Sequence, residues 1–401
     1  MKSASPKVLH EANGKPVLAY VLDVAQSIGS LKIYAVLGFQ SDEVKKILPL
    51  GVEPVIQKKL LGTADAVRCV AGRLKSFRGD VVIMCGDTPL LTKETVKALV
   101  QRHRREKNVC TVLTCVVDNP SGYGRILRDE NARVAAIRED KDAQEHEKII
   151  AEINVGVYCV NAQALLKALS NVSLNQRKGE FYLTDIIEYF AGNRQKVGSF
   201  ETKDAYEGLG VNSREDLAFA DKVLRQRVLK RLMLNGVTIV DPATTFVRDN
   251  VSIGQDTVIF PFTFIEQNVT IGNYCKVGPF ARVRMGTIVG NYCEIGNFSE
   301  VSRARIGNRT LMKHFGFLGD AVVGDDVNIG AGTVTANFDG VHKNKTTILN
   351  GAFIGSDSIL VAPVRVGQKS VIGAGSVLTK GTSVPDGCVA VGVPAKVKGK
   401  K

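Results

Sequence analysis

From Ile253 onward an aliphatic residue recurs at every sixth position without a miss, through Ile259, Ile265, Ile271, Val277, Val283, Val289, Ile295 and Val301. After a one-residue slip the phase resumes at Ile306, returns at Val323 and Ile329, and runs on through Ile348, Ile354, Leu360, Val366, Ile372 and Leu378. A period of six matches neither the helix repeat of about 3.6 nor the coiled-coil heptad, but it is the signature of a parallel β-helix. Three hexads close one triangular coil, whose aliphatic residues point inward and stack on their equivalents in the next coil. Glycine often follows the aliphatic residue, as in Ile271-Gly272 and Val289-Gly290. Cys275 and Cys293 stand one coil apart, so they should lie one above the other as core thiols. The hexads break from Ala336 to Thr347, where Asn337-Phe338-Asp339-Gly340, Lys343 and Lys345 must loop off the prism. Loops on rigid scaffolds are where binding groups gather, although a tolerated insertion needs no function.

The first half has a different grammar. Short apolar, β-branched runs at Ile33 to Phe39, Glu53 to Gln57, Asp80 to Cys85 and Val109 to Val117 alternate with helical patterns at Val17 to Ser27, Ala64 to Phe77 and Lys93 to Glu106. Thr92 is placed to cap the third helix. Such alternation predicts right-handed crossovers and a mainly parallel sheet, with ligands beyond the carboxyl ends of the strands. Between the halves, Ser213 to Leu234 has the amphipathic spacing of one helix, with Gly236 just past its end.

A length of 401 residues allows two or three domains at about 100 to 200 residues each. No apolar run is long enough to span a membrane, and Met1 to Lys7 lacks the apolar core of a secretory signal, so the expected location is cytoplasmic. The eight cysteines form no Cys-x-x-Cys pair and sit mostly in apolar runs, as reduced buried thiols do. The net charge of +13 suits either nucleic acid or small polyanionic substrates, with Lys396, Lys398, Lys400 and Lys401 supplying part of it as a basic tail. Nothing here gathers base-reading residues among aromatics, so a nucleic-acid partner is not expected.

Asp87 ends the run Val81-Val82-Ile83-Met84-Cys85-Gly86, at the carboxyl end of a buried strand, where a carboxylate can hold Mg²⁺ against substrate phosphates. The same aspartate also suits the opening of the Thr88-Pro89 turn. Gln57 to Thr63, between a strand end and a helix, offers amides to a base and a helix start to a phosphate. His314 falls where the hexads slip and so faces a groove rather than the core; an imidazole there can take a proton from an attacking amine, or be a surface residue only.

These residues meet a family pattern. Pro6-Lys7-Val8-Leu9-His10, Gln57 with Gly62-Thr63, Gly86-Asp87-Thr88-Pro89-Leu90, Gly122-Tyr123-Gly124-Arg125-Ile126, Glu139 to Ala143, Glu152-Ile153-Asn154 and Gly208 to Asn212 occur in the order found in the bacterial GlmU family. So do Gly278 to Arg282, His314, Leu318-Gly319-Asp320, Asn328 to Thr333 and Gly355-Ser356. The chain resembles that family over nearly its whole length. Its members are bifunctional N-acetylglucosamine-1-phosphate uridylyltransferases and glucosamine-1-phosphate acetyltransferases.

The resemblance implies an α/β, Rossmann-like nucleotide-diphospho-sugar transferase domain over residues 1–212, a linker helix over 213–235, a left-handed parallel β-helix of hexapeptide repeats over 236–395, and the basic tail 396–401. It implies that Asp87 and Asn212 hold Mg²⁺, that Lys7 contacts nucleotide phosphate, and that Gln57, Gly62 and Thr63 surround the uracil of UTP. Gly124, Glu139 and Asn154 would grip N-acetylglucosamine-1-phosphate. In the β-helix, His314 would be the general base for glucosamine-1-phosphate, Arg284 would hold its phosphate, and Asn328 and Asn337 would orient the acceptor. Ala331, Lys343, Ser356 and Ala374 would line the acetyl-CoA cleft, and the assembly would be a homotrimer.

Three departures from the family pattern qualify the expectation. The family's glycine-rich phosphate loop would end at Met1, so its strand and loop are expected to be missing and uridylyl transfer to be poor; a misplaced start codon is the simplest source. The lysine expected before Arg303 is Ser302, and two expected tyrosines are Phe317 and Phe338. Two other readings therefore stay open: a related sugar-phosphate nucleotidylyltransferase with a non-catalytic trimerising β-helix, and a catalytically silent nucleotide-sugar-binding scaffold.

Overall fold

The computed structural model describes residues 1–176 and 178–400 and divides into two units, Met1–Asp221 and Lys222–Lys401. In the first unit, helix α1 (Val17–Ser27) buries Val17, Leu18, Val21, Leu22, Val24 and Ala25, the helical spacing visible in the sequence. Strands β1 (Ile33–Leu37) and β2 (Val52–Ile56) pair in parallel as a sheet of their own. A second sheet holds β3 (Asp80–Ile83), β4 (Cys110–Val116), β5 (Arg125–Arg128), β6 (Val134–Arg138), β7 (Glu152–Asn161) and β8 (Val197–Glu201). Helix α1 joins the two sheets: Leu18 and Leu22 pack with Ile33, Ala35 and Leu37 of β1, while Val24 packs in the cluster that holds Val82 of β3. The helix Lys93–Glu106 starts at Thr92, whose hydroxyl accepts the Thr95 N–H at 3.3 Å.

Two expectations need correction. The sheet is mixed rather than mainly parallel: among the described residues of the first unit, only β1 with β2 and β4 with β8 pair in parallel, and β7 runs antiparallel to β3, β4 and β5. An apolar run records burial on both faces and carries no information on strand direction. The helix expected over Ala64 to Phe77 forms as two pieces, Thr63–Arg68 and Ala71–Leu74, with the weak helix formers Cys69 and Val70 at the break.

The division between units falls within the helix Arg214–Leu234, whose Val228, Leu229 and Leu232 are buried in the core of the second unit. That core is a three-faced prism of nine, eight and eight strands paired in parallel from coil to coil, with a tenth strand added antiparallel to the first face. Ile253, Ile271, Val289, Ile306, Val323, Ile348, Val366 and Val384 form one buried column. The glycine that often follows an inward residue has a steric cause: a Cβ on Gly272 would lie 2.7 Å from the Gly290 carbonyl of the next coil. Cys275 and Cys293 stack as expected, with the Cys293 N–H donating to Cys275 Sγ at 3.4 Å, and all eight cysteines are free. The prism starts one coil before the regular hexads, at Thr238–Ile239 and Phe246–Val247, because the step between Ile239 and Val247 exceeds six residues and hides the phase. The segment expected as a basic tail is instead a strand, Ala395–Lys400, antiparallel to Cys388–Gly392: alternate residues find backbone partners on the last coil, and the lysines face water. Among the described residues, no helix is long and apolar enough to cross a membrane.

Because each coil touches only its neighbours, one deleted side chain leaves a void that the stack cannot close. Ile295→Ala, at a fully buried position, is expected to lower unfolding stability by about 3 kcal/mol, measured by urea denaturation.

Candidate functional site

In the first unit three expected residues converge. Asp87 follows β3 by one turn, and the Val211 N–H donates to its carbonyl at 2.8 Å, which brings the segment ending at Asn212 alongside. Lys7 starts a short helical turn, Lys7–Leu9. Its ammonium donates to Asp87 Oδ2 at 2.5 Å and to Asn212 Oδ1 at 2.9 Å. The Lys7 and Asp87 side chains are 34% and 25% exposed, so this ion pair is partly shielded from water yet reachable. Two hard oxygens already meet on one cation, the donor chemistry that Mg²⁺ takes from a protein.

Gln57, just past β2, donates from Nε2 to the Gly62 carbonyl at 3.1 Å and to Asp65 Oδ2 at 2.9 Å. Gly62 has φ of +100° and lies so close to Phe181 that a Cβ would fall 2.6 Å from its carbonyl oxygen, so only glycine fits. Thr63 Oγ1 accepts the Leu183 N–H at 2.9 Å. These three residues therefore form one small platform at the start of a helix, locked to the chain around residue 182.

Gly124 and Asn154 are brought together by the Asn154 N–H, which donates to the Gly124 carbonyl at 2.8 Å. The Asn154 side chain is fixed at both ends: Nδ2 donates to the hydroxyl of Tyr158 at 2.7 Å, and Oδ1 accepts the Gly156 N–H at 3.0 Å. Glu139 accepts from the Thr184 hydroxyl at 3.0 Å. Removal from water pushes the Glu139 carboxyl up, against the lowering effect of Thr184. Cys85 lies among these groups: desolvation and the charges of Asp87 and Glu139 push its thiol up to about 12, while Lys7 lowers it, so it is a neutral neighbour and no nucleophile. Tyr158 and Thr184 escaped the sequence reading. Thr184 stands 45 residues from Glu139, and nothing local marks it.

Beside Glu139, desolvation and then the charges of Glu188 and Glu139 push Asp185 up to about 6. A raised carboxyl contributes most below its ordinary range and loses that contribution as pH climbs through the raised value. Asp185→Asn should thus match the parent in stability near pH 4 and exceed it near pH 7 by about 1 kcal/mol, a figure reduced for the solvent that reaches the half-buried group. Urea unfolding at the two pH values measures the difference.

In the prism, strand register gathers the other set. Leu311, Asn328, Phe353 and Val371 pair in succession. Three residues beyond each stand His314, Ala331, Ser356 and Ala374, which therefore share one corner in successive coils about 4.8 Å apart. His314 is exposed there, as expected, with its carbonyl accepting from the Ser299 hydroxyl at 3.0 Å. Asn328 sits half-buried on the strand leading to this corner.

A second corner closes the far side of the same face, because strand Gly316–Gly319 runs from His314 to Asp320. Here Arg303 grips Asp320 through two hydrogen bonds of 2.7 and 2.8 Å, and buried Asn337 donates to the same carboxylate. The Arg303 guanidinium foremost, with Asn337 and Lys343 adding, holds the Asp320 carboxyl below the usual carboxylate range. Arg284, one coil earlier, donates to Glu300 at 3.0 Å. Lys343 belongs to the loop between Val334–Ala336 and Thr346–Ile348. That loop folds on itself around Asp339, which accepts the His342 N–H at 2.7 Å and the Val341 N–H at 3.1 Å. Ser302 is buried behind Arg303, Phe317 is half-buried on the face between the corners, and Phe338 is 59% exposed. The hub role of Asp320 was not foreseen, although its motif was visible.

Comparison with known proteins agrees with both halves. The nucleotidyl transferase family matches residues 2–226, the bacterial transferase hexapeptide family residues 250–284, and the hexapeptide repeat of succinyl-transferase residues 346–380. The class is thus a nucleotidyltransferase joined to a hexapeptide-repeat transferase built on a left-handed β-helix. The bifunctional protein GlmU of Fervidobacterium nodosum is 42% identical, and those of Geobacillus thermodenitrificans and Bacillus subtilis are each 40% identical; every one of these alignments spans 98% of this chain and 92% of the relative. The chain belongs to the GlmU family of bifunctional uridylyltransferase–acetyltransferases.

Proposed function

We propose that this chain forms UDP-N-acetylglucosamine in the cytoplasm by uridylyl transfer from UTP to N-acetylglucosamine-1-phosphate, and acetylates glucosamine-1-phosphate with acetyl-CoA. The observation that carries the first activity is the convergence of Asp87, Asn212 and Lys7 at the carboxyl end of β3. Asp87 and Asn212 would hold Mg²⁺, which when bound supplies charge neutralisation for the phosphates. Phosphoryl chemistry of this kind asks the protein chiefly for position. Gln57, Gly62 and Thr63 form the platform for the uracil. Gly124, Glu139 and Asn154 hold the sugar, and the Tyr158 hydroxyl fixes the Asn154 amide in place.

In the prism, His314 takes the amine proton of glucosamine-1-phosphate, Arg284 meets its phosphate, and Asn328 and Asn337 orient the acceptor. Ala331, Ser356 and Ala374 continue the His314 corner as the wall for acetyl-CoA, with Lys343 over it, and a homotrimer completes the cleft. One observation favours a second reading, in which the prism only trimerises a sugar-phosphate nucleotidylyltransferase: Arg284 and Arg303 both already engage carboxylates, Glu300 and Asp320.

Mass spectrometry of the protein incubated with UTP, N-acetylglucosamine-1-phosphate and Mg²⁺ tests the first activity. The convergence of Asp87, Asn212 and Lys7 supports formation of UDP-N-acetylglucosamine, and product at enzymic rates would overturn the expectation of poor transfer; binding of that product without turnover would favour a silent scaffold instead. Coenzyme A release in the presence of glucosamine-1-phosphate and acetyl-CoA decides between the two readings of the prism.

A further inference from the structure

The cation between Asp87 and Asn212 in this structure is the protein's own. Lys7 Nζ lies 2.5 Å from Asp87 Oδ2 and 2.9 Å from Asn212 Oδ1, the same two oxygens assigned to the metal. An ammonium and a divalent ion cannot share them: Mg–O contacts of about 2.1 Å would bring two like charges within roughly 3 Å of each other. Without either cation, the three-quarters-buried Asp87 carboxylate would face the low-dielectric site uncompensated. The lysine is suited to give way, since its ammonium rides on a flexible four-carbon stem and keeps its charge wherever it moves.

We propose that Lys7 is a resident counter-ion for the metal pocket: it holds Asp87 and Asn212 together until a divalent cation displaces it, and the freed ammonium then turns to the nucleotide phosphates. This rests on the reading that Asp87 and Asn212 are the metal's ligands. The device couples the two events. Metal arrival releases the phosphate-binding lysine, and phosphates that capture the lysine in turn tighten the metal, since coupling between two sites is reciprocal.

Titration of the nucleotide-free protein with Mn²⁺, followed by electron paramagnetic resonance, tests the proposal without any turnover. Lys7→Met removes the competing charge and keeps the side-chain length, so Mn²⁺ should bind at least about fivefold more tightly, the effect of losing a partly exposed ion pair. Lys7→Gln should do the same and stands in if the methionine variant fails to fold, as thermal unfolding would reveal. Lys7→Arg retains the charge and should leave the affinity near that of the parent. Unchanged or weaker Mn²⁺ binding in the neutral variants would overturn the proposal, provided Asp87→Asn abolishes binding. If Asp87→Asn leaves Mn²⁺ binding intact, the ligand assignment itself fails, and the counter-ion role falls with it.

Discussion

Asp87→Ala should cut Mg²⁺-dependent uridylyl transfer by about three orders of magnitude in kcat/KM while leaving acetyl transfer at the parent level. The size follows from what the carboxylate does. It is the only formally charged oxygen donor of the Lys7–Asp87–Asn212 group, and removal of one preorganised electrostatic contact from a reacting centre commonly costs about 10²- to 10³-fold. The selectivity follows from the fold, since Asp87 belongs to the first unit and the prism has its own independent core. Parallel assays of pyrophosphate release and of coenzyme A release measure both halves on one preparation. Equal loss of the two activities would point to unfolding instead, whereas uridylyl transfer kept at the parent level would remove Asp87 from the metal site.

The complementary variant is His314→Ala. Acetyl transfer should fall by about 10²- to 10⁴-fold, the range for loss of a positioned general base, with uridylyl transfer unchanged. His314 is exposed at a prism corner, so its truncation opens no core cavity and should leave the melting temperature near that of the parent. A pH–rate profile adds a second readout: loss of a base removes the acidic limb of the kcat/KM curve, whereas loss of a mere surface contact leaves the profile's shape alone. Acetylation that persists in the variant would refute the assignment.

How much of this was legible in the sequence depends on the distance over which each feature is encoded. The prism was visible because its rule is local: Ile271, Val277 and Val283 repeat the same steric demand every hexad, one on each face, and the three columns they join are buried as that demand requires. The His314 corner was legible residue by residue from the family pattern, yet its common geometry emerges only from strand register across coils of unequal length. Sheet direction was not legible. The Glu152–Asn161 strand reads like any doubly buried strand, and only its partners show it to be antiparallel. Tyr158 and Thr184 were missed for a related reason: each acts by holding another residue, Asn154 or Glu139, and a supporting hydrogen bond leaves no spacing rule in the chain.

The coil-to-coil loop at 337–345 carries a wider consequence. Its extra residues leave the pairing of Ala321 with Thr346 and of Val323 with Ile348 intact, because the backbone rejoins the prism where a shorter turn would have. Length at the rim and order in the interior are therefore separate variables. Selection can lengthen, recharge or reshape a rim segment without retuning a single stacked isoleucine. A chain of this build can change what it grasps while inheriting, unaltered, the rod on which the grasp is mounted.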